Sequence, residues 1–179
     1  AKRLSAFSAP NGARLKGCDL DLPLRFDKLS VYPKHKDHVA LIRSSSVRIV
    51  TIRKSFETYI TRLHRAAIAS DSDLSISAYS WTVDGNFLFA TRQGGLCTLD
   101  GSTGSVLHAC QVEHPITSIA VKPSHTMTTH IGNTLQFWRH ELSPSFPIDG
   151  NALFNSPQMG SDADGGVFTL LQTVDLEGA

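Results

Sequence analysis

The chain has 179 residues, 41% of them apolar and 18% charged, and its 17 Lys and Arg nearly balance its 16 Asp and Glu. That composition fits a globular chain with a core of its own. No apolar run approaches the roughly 18 residues of a membrane-spanning helix, and the mixed polar residues that follow Lys2 and Arg3 do not read as a signal-peptide core.

Taken in chain order, residues 1–23 read as the end of a preceding unit or a linker. Phe26, Leu29 and Val31 then mark an apolar anchor spaced +3 and +2, closed by Pro33. Val39-Ala40-Leu41-Ile42 follows as a second run. Ser44-Ser45-Ser46 is a polar turn, and Val47-Arg48-Ile49-Val50 is a third run. Between residues 55 and 67, Phe56, Tyr59, Ile60, Leu63 and Ala67 match helical spacing. The same stretch sits where a fourth strand belongs, so the expectation is a strand, Tyr59 to Leu63, within a longer insertion.

The pattern then starts again. Ile76, Tyr79 and Trp81 repeat the anchor. Asp84-Gly85 turns the chain into Phe87-Leu88-Phe89-Ala90, and Gln93-Gly94-Gly95 turns it into Leu96-Cys97-Thr98-Leu99. The third copy is Ile116, Ile119 and Val121 with Pro123. Behind it come the weaker run Met127-Thr128-Thr129, the turn Gly132-Asn133 and Leu135-Gln136-Phe137-Trp138. Proline presets φ and glycine tolerates positive φ, so these punctuations mark turns. Residues 143–166 are rich in loop signals such as Ser143-Pro144 and Asp149-Gly150-Asn151, and a last strand is expected at Val167–Val174.

Each unit therefore reads strand, turn, strand, turn, strand. The anchors start 50 and then 40 residues apart, and a period of about 40–45 residues in strand-rich units is the mark of β-propeller blades. One small sheet cannot bury both faces alone, so it stacks on its neighbours. The expected fold is all-β, a partial propeller of about three to four recognisable four-stranded blades. The blades divide as 24–68, with an outer-strand insertion, 69–112 and 113–142. Residues 143–179 form a long loop and an outer or following strand. A chain of this length supplies about four blades at most. The expectation is a segment of a longer scaffold, with a closed four-bladed ring or a β-sandwich as alternatives.

The residues around two of these turns resemble the WD-repeat family in degenerate form. Leu99-Asp100-Gly101-Ser102-Thr103-Gly104 looks like the end of a WD third strand, and Gly132-Asn133-Thr134-Leu135-Gln136-Phe137-Trp138 looks like the turn and third strand of the next blade. The resemblance covers roughly residues 24–142. It implies a hydrogen-bonded structural cluster inside the blade, with His114, Thr128 or Thr129, Asn133 and Trp138 in its places. Arg139 stands where the family has its Asp, and Asn133 replaces the turn Asp.

Charge is unevenly placed. Residues 1–65 carry 14 Lys and Arg against 5 acids, and residues 66–179 carry 3 against 11. Such polarity points to a charged partner. The exposed basic loop Lys34, His35, Lys36 and the pair Arg53, Lys54 are the candidate partner-binding residues. His35 and His38, with Asp37 between them, lack the further ligands of a metal site. Cys18, Cys97 and Cys110 have no metal-type spacing. Their odd number suits a reducing compartment, and buried thiols rather than a disulfide are expected.

No phosphate loop, nucleophile elbow or metalloprotease helix occurs. No catalytic, cofactor-binding or metal residue is assigned, and no cofactor is expected. The reading is a non-enzymatic protein–protein interaction scaffold in a large cytoplasmic assembly. The WD-like resemblance extends this, by analogy of fold, to a microtubule-associated ciliary or axonemal complex with tubulin among the partners. An RNA-associated propeller subunit of a ribonucleoprotein particle is the alternative. The missing RNA-binding motif argues against nucleic acid, and no membrane partner is expected.

Overall fold

The computed structural model describes residues 3–6, 11–23, 25–34, 37–44, 46–55, 58–64, 68–69, 75–112, 115–122, 126–131, 134–140 and 168–176. Among them every regular element is a strand. The first seven are β1 (Arg3–Leu4), β2 (Leu20–Asp21), β3 (Lys28–Val31), β4 (His38–Arg43), β5 (Ser46–Ser55), β6 (Thr58–Leu63) and β7 (Ile68–Ala69). Then come β8 (Ile76–Trp81), β9 (Phe87–Thr91), β10 (Gly95–Leu99) and β11 (Val106–Gln111). The last four are β12 (Ser118–Val121), β13 (Thr126–Ile131), β14 (Thr134–His140) and β15 (Phe168–Asp175).

These strands form three antiparallel meanders, β3-β4-β5-β6, β8-β9-β10-β11 and β12-β13-β14-β15, and β1 pairs with β2. Each meander joins consecutive strands, because a short turn can only return the chain antiparallel to itself. The fold is all-β and built of propeller blades. Tyr59 to Leu63 lies in strand β6, and the helical spacing of 55–67 is overridden there. Pairing along β5, from Val50↔Leu63 to Ser55↔Thr58, satisfies the backbone groups that a lone short helix would leave to its own ends. Beyond β6 the outer edge continues through the bond from His64 N to Ile49 O, 2.9 Å, and then through β7, which pairs with Ser46 and Val47. The third blade takes its outer strand from Phe168–Asp175, with a bulge opposite Phe137/Trp138.

The blades are held face to face. Between the first and second, Ala40, Ile42, Val47 and Ile49 meet Trp81, Phe87, Phe89, Cys97, Leu99 and Val106 in one buried cluster. Between the second and third, Ala78, Leu88, Ala90 and Leu96 meet Ile116 and Trp138, with Ile119 and Val121 packed against them. The second blade is thus covered on both faces, and every residue of β9 and β10 is buried. That is why both strands read as mostly apolar runs, broken only by the buried Thr91 and Thr98, rather than as alternating ones. Cys97 and Cys110 are free thiols that join opposite clusters, so the sheet separates them. Burial raises both, Cys110 to about 12, which leaves them protonated and unreactive.

One expectation is corrected. The repeat places Leu29 and Val31 at apolar anchor positions, where burial is expected, but they are 49% and 40% exposed. The anchor positions face the preceding element in each unit. Tyr79 and Trp81 face the first blade, and Ile119 and Val121 face the second. Ahead of the first blade, Leu4, Leu20, Leu22 and Phe26 from the N-terminal stretch cover Val39, Leu41 and Val50 and leave the innermost strand open.

The first interface also carries directional contacts. Trp81 Nε1 donates to Ser30 Oγ at 3.1 Å, and the Tyr32 hydroxyl donates to the Val83 carbonyl at 2.6 Å. The Tyr32 and Trp81 rings lie 5.3 Å apart. The Tyr32 ring rests on Gly85, which turns at φ +85°, a conformation costly to any residue with a Cβ. Gly101 is constrained by space instead. A Cβ there would overlap the Gly85 carbonyl oxygen and press on the Trp81 ring. Gly101→Ala should therefore lower stability by about 1–3 kcal/mol, the usual range for overpacking. A urea unfolding midpoint unchanged from wild type would contradict this packing.

Candidate functional site

Strands β5 and β6 run beyond the end of β4. The last β4–β5 partner is His38↔Thr51, and the hairpin continues to Ser55↔Thr58. Side chains alternate along a strand, so residues two apart share a face. Thr51, Arg53, Ile60 and Arg62 lie on one face through the pairs Thr51↔Arg62 and Arg53↔Ile60. Lys54 falls on the other. The sequence-level pair Arg53-Lys54 is therefore divided, and Arg53 finds its basic neighbour across the hairpin at Arg62, a diagonal position within reach of long side chains.

This face fronts the second blade. The turn Asp100-Gly101-Ser102-Thr103 projects from the end of β10, and a cleft of about 590 Å³ lies between turn and hairpin. Arg53 and Arg62 supply its basic lining, His64 an imidazole beside them, Ile60 and Leu63 its apolar one, and Ser102 and Thr103 its opposite rim. The turn is held by one carboxylate oxygen. Asp100 Oδ1 accepts from Ser102 N at 2.7 Å, Ser102 Oγ at 2.6 Å and Thr103 N at 3.0 Å. Burial pushes the Asp100 carboxyl up, but these donors outweigh it and hold it below its ordinary value. Asp100 is thus committed to its own turn.

His64 shares a hydrogen bond of 3.0 Å with Thr51 Oγ1. Burial first, and then the Arg62 charge, lower its pKa from the ordinary 6.5, with Arg53 adding to the effect and Asp100 opposing it. Among the described residues no carboxylate pairs with Arg53 or Arg62. Ile60 is 58% exposed between them. The arrangement suits an anionic group beside an apolar side chain.

Lys34 is exposed in the turn after β3, at the same end of the blade. That turn is tied to the hairpin base by the bond from Ile52 N to Asp37 O, 2.7 Å. His38 Nδ1 meets Asp37 Oδ1 at 2.9 Å. His35, Lys36, His114 and Asn133 lie outside the described residues. Thr128 is in β13, paired with Phe137, and its side chain is likewise outside them. Trp138 is buried in the cluster between the second and third blades. Arg62, His64, Ile60, Ser102 and Thr103 were not singled out from the sequence as binding residues. For Ile60 and Arg62 the signal lies in the β5–β6 register, which pairs Arg53 with Ile60 rather than joining it to Lys54. No group of three or more His, Cys, Asp or Glu gathers to hold a metal among the described residues, and no helix there is long and apolar enough to cross a membrane.

Solved structures settle the fold. The chain is similar to the Myceliophteria thermophila Cps50 (Swd1) β-propeller domain, with a TM-score of 0.55 and 10% identity, covering 97% of this chain and 53% of that one. It is also similar to Saccharomyces cerevisiae Sqt1, with a TM-score of 0.55 and 16% identity, covering 77% of this chain and 39% of that one. The blades belong to the β-propeller fold, and the chain spans about half the length or less of these structures. No family model matches the chain, and no curated protein matches it.

The His64 environment sets a pH dependence. Its folded pKa lies below 6.5, so as pH falls through 6.5 the unfolded chain binds the proton first and stability drops. Wild type should lose more stability between pH 7.5 and 5.5 than His64→Gln, measured by urea unfolding at both values. Equal losses would show that His64 is not shielded in this way.

Proposed function

We propose that the chain is a non-enzymatic protein–protein interaction module, built from degenerate WD-like blades, that docks an acidic segment of a partner protein in the cleft between the β5–β6 hairpin and the Asp100 turn. The observation that carries this reading is Arg53 and Arg62 flanking an exposed Ile60 with no carboxylate partner among the described residues. A solvated arginine face alone would need no apolar centre. An interface does, because its anchors are apolar or arginine side chains that lose water together. The blades supply rigidity, so little ordering cost falls on this side of the complex.

The basic excess of residues 1–65 adds long-range attraction for an acidic partner and speeds encounter at low salt. Lys34, on the same end of the first blade, would meet the periphery of such a partner. The acidic tails of tubulin are one segment of this chemistry. A ciliary or cytoplasmic setting rests on that analogy alone.

The test places a photo-crosslinking residue at Ser102 in the full chain. Crosslinked peptides should be rich in Asp and Glu, and Arg53→Glu with Arg62→Glu should reduce their yield at least about tenfold, the effect of roughly 1.4 kcal/mol. Lys54→Glu, on the opposite face, should leave the yield nearly unchanged. Neutral or basic crosslinked peptides, or an equal loss in Lys54→Glu, would overturn the assignment.

A further inference from the structure

A second basic cleft opens at the other end of the same two blades. Its position follows from strand direction. Lys28 begins β3 and Arg43 ends β4, while Ile76 begins β8 and Arg92 follows β9. These points all lie opposite the hairpin and the Asp100 turn. The cleft has a volume of about 290 Å³ and is lined by Lys28, Arg43 and Arg92, with Asp27 the one acid among its lining residues. Ile42 and Ile76 form its apolar wall, and Ser44 and Ser75 add hydroxyls.

One of the three cations has a ring beneath it, and the backbone of a second is fixed. The Lys28 ammonium sits over the Tyr79 ring, 5.8 Å from its centroid, so the second blade positions a charge that the first blade carries. Arg92 N donates to the Ser75 carbonyl at 2.9 Å, which fixes the main chain from which the Arg92 side chain reaches the cleft. Ser75 itself turns at φ +48°, a region that residues with a Cβ rarely occupy. Three cations converge on one cleft against a single acid, and no salt bridge engages them among the described residues. Held apart on rigid elements, they gain from a multivalent anion what each would lack alone.

We infer that this cleft is a second docking site, for a carboxylate-rich peptide segment, and that it acts independently of the hairpin cleft. With one acidic segment bound at each end, the first two blades would bridge two partners rather than hold one. The occupant is peptide in character because the cleft joins charge to the partly exposed Ile76, with the buried Ile42 behind it. It is acidic because the lining is cationic three to one.

The experiment uses the full chain carrying Arg53→Glu and Arg62→Glu, so that the hairpin cleft is already blocked. A fluorescent hexaglutamate peptide is titrated at low and at physiological salt, with hexaglutamine as control. Carbodiimide coupling then joins bound glutamate to the nearest lysine, located by mass spectrometry. The expected result is binding that weakens with salt, coupling concentrated at Lys28, and at least about tenfold weaker binding after Lys28→Gln, Arg43→Gln and Arg92→Gln. Circular dichroism and cooperative thermal unfolding check that this variant is folded. Coupling spread over Lys34, Lys54 and Lys122 would mean unspecific attraction and overturn the site. Coupling of Lys28 to an acid of the chain itself in place of the peptide would overturn it too, because the cleft would already be filled. Failure of binding here leaves the hairpin cleft untouched, since that cleft is absent from the assay.

Discussion

Everything in this chain depends on the burial of one sheet face against the next. A four-stranded meander of this size has two faces and no helix to cover either. The first and second blades solve that problem for each other, with Ile49 and Val47 set against Phe87, Phe89 and Leu99. Each fully buried side chain of this size contributes about 1.5–3 kcal/mol relative to exposure. The interface is also specified in direction. Tyr32 reaches the Val83 carbonyl and Trp81 reaches Ser30, so the blades cannot slide without stranding a hydroxyl and an indole N–H.

That constraint positions both clefts. The blades meet along their faces, and at each end the turns and strand tips of both line a cleft. At one end the long β5–β6 hairpin faces the Asp100 turn, whose shape one carboxylate oxygen maintains. At the other, Lys28 leans across onto Tyr79. In both places a basic group belongs to the first blade and its rigid backing comes from the second. Both surfaces stand on strands and turns that continue from the buried inter-blade cluster.

The blade architecture was largely legible in the sequence because its signals are local. Asp84-Gly85 and Gly94-Gly95 bracket Phe87–Thr91, and the expected runs Phe87 to Ala90 and Leu96 to Leu99 fall within β9 and β10. The last strand was expected at Val167–Val174 and lies at Phe168–Asp175. What failed to show was anything set by a neighbour. Leu29 and Val31 look identical to Tyr79 and Trp81 in spacing, yet their exposure depends on what precedes the blade. The candidate site was only half visible. Arg53 could be picked out by its charge, but Lys54 came with it, because adjacency in sequence hides the alternation that sends the two to opposite faces. Arg62 and His64 join Arg53 only through the hairpin register, which the helical spacing of Tyr59, Ile60 and Leu63 around them obscures.

The most direct test of this account is native-state amide hydrogen exchange on the first two blades. If their shared face is what holds them, the amides of β4, β5, β9 and β10 should open together, with one common free energy and one common dependence on denaturant. Exchange of β4 and β5 at much lower free energy than β9 and β10 would mean that the first blade opens alone, and it would contradict the claim that the two blades form one unit.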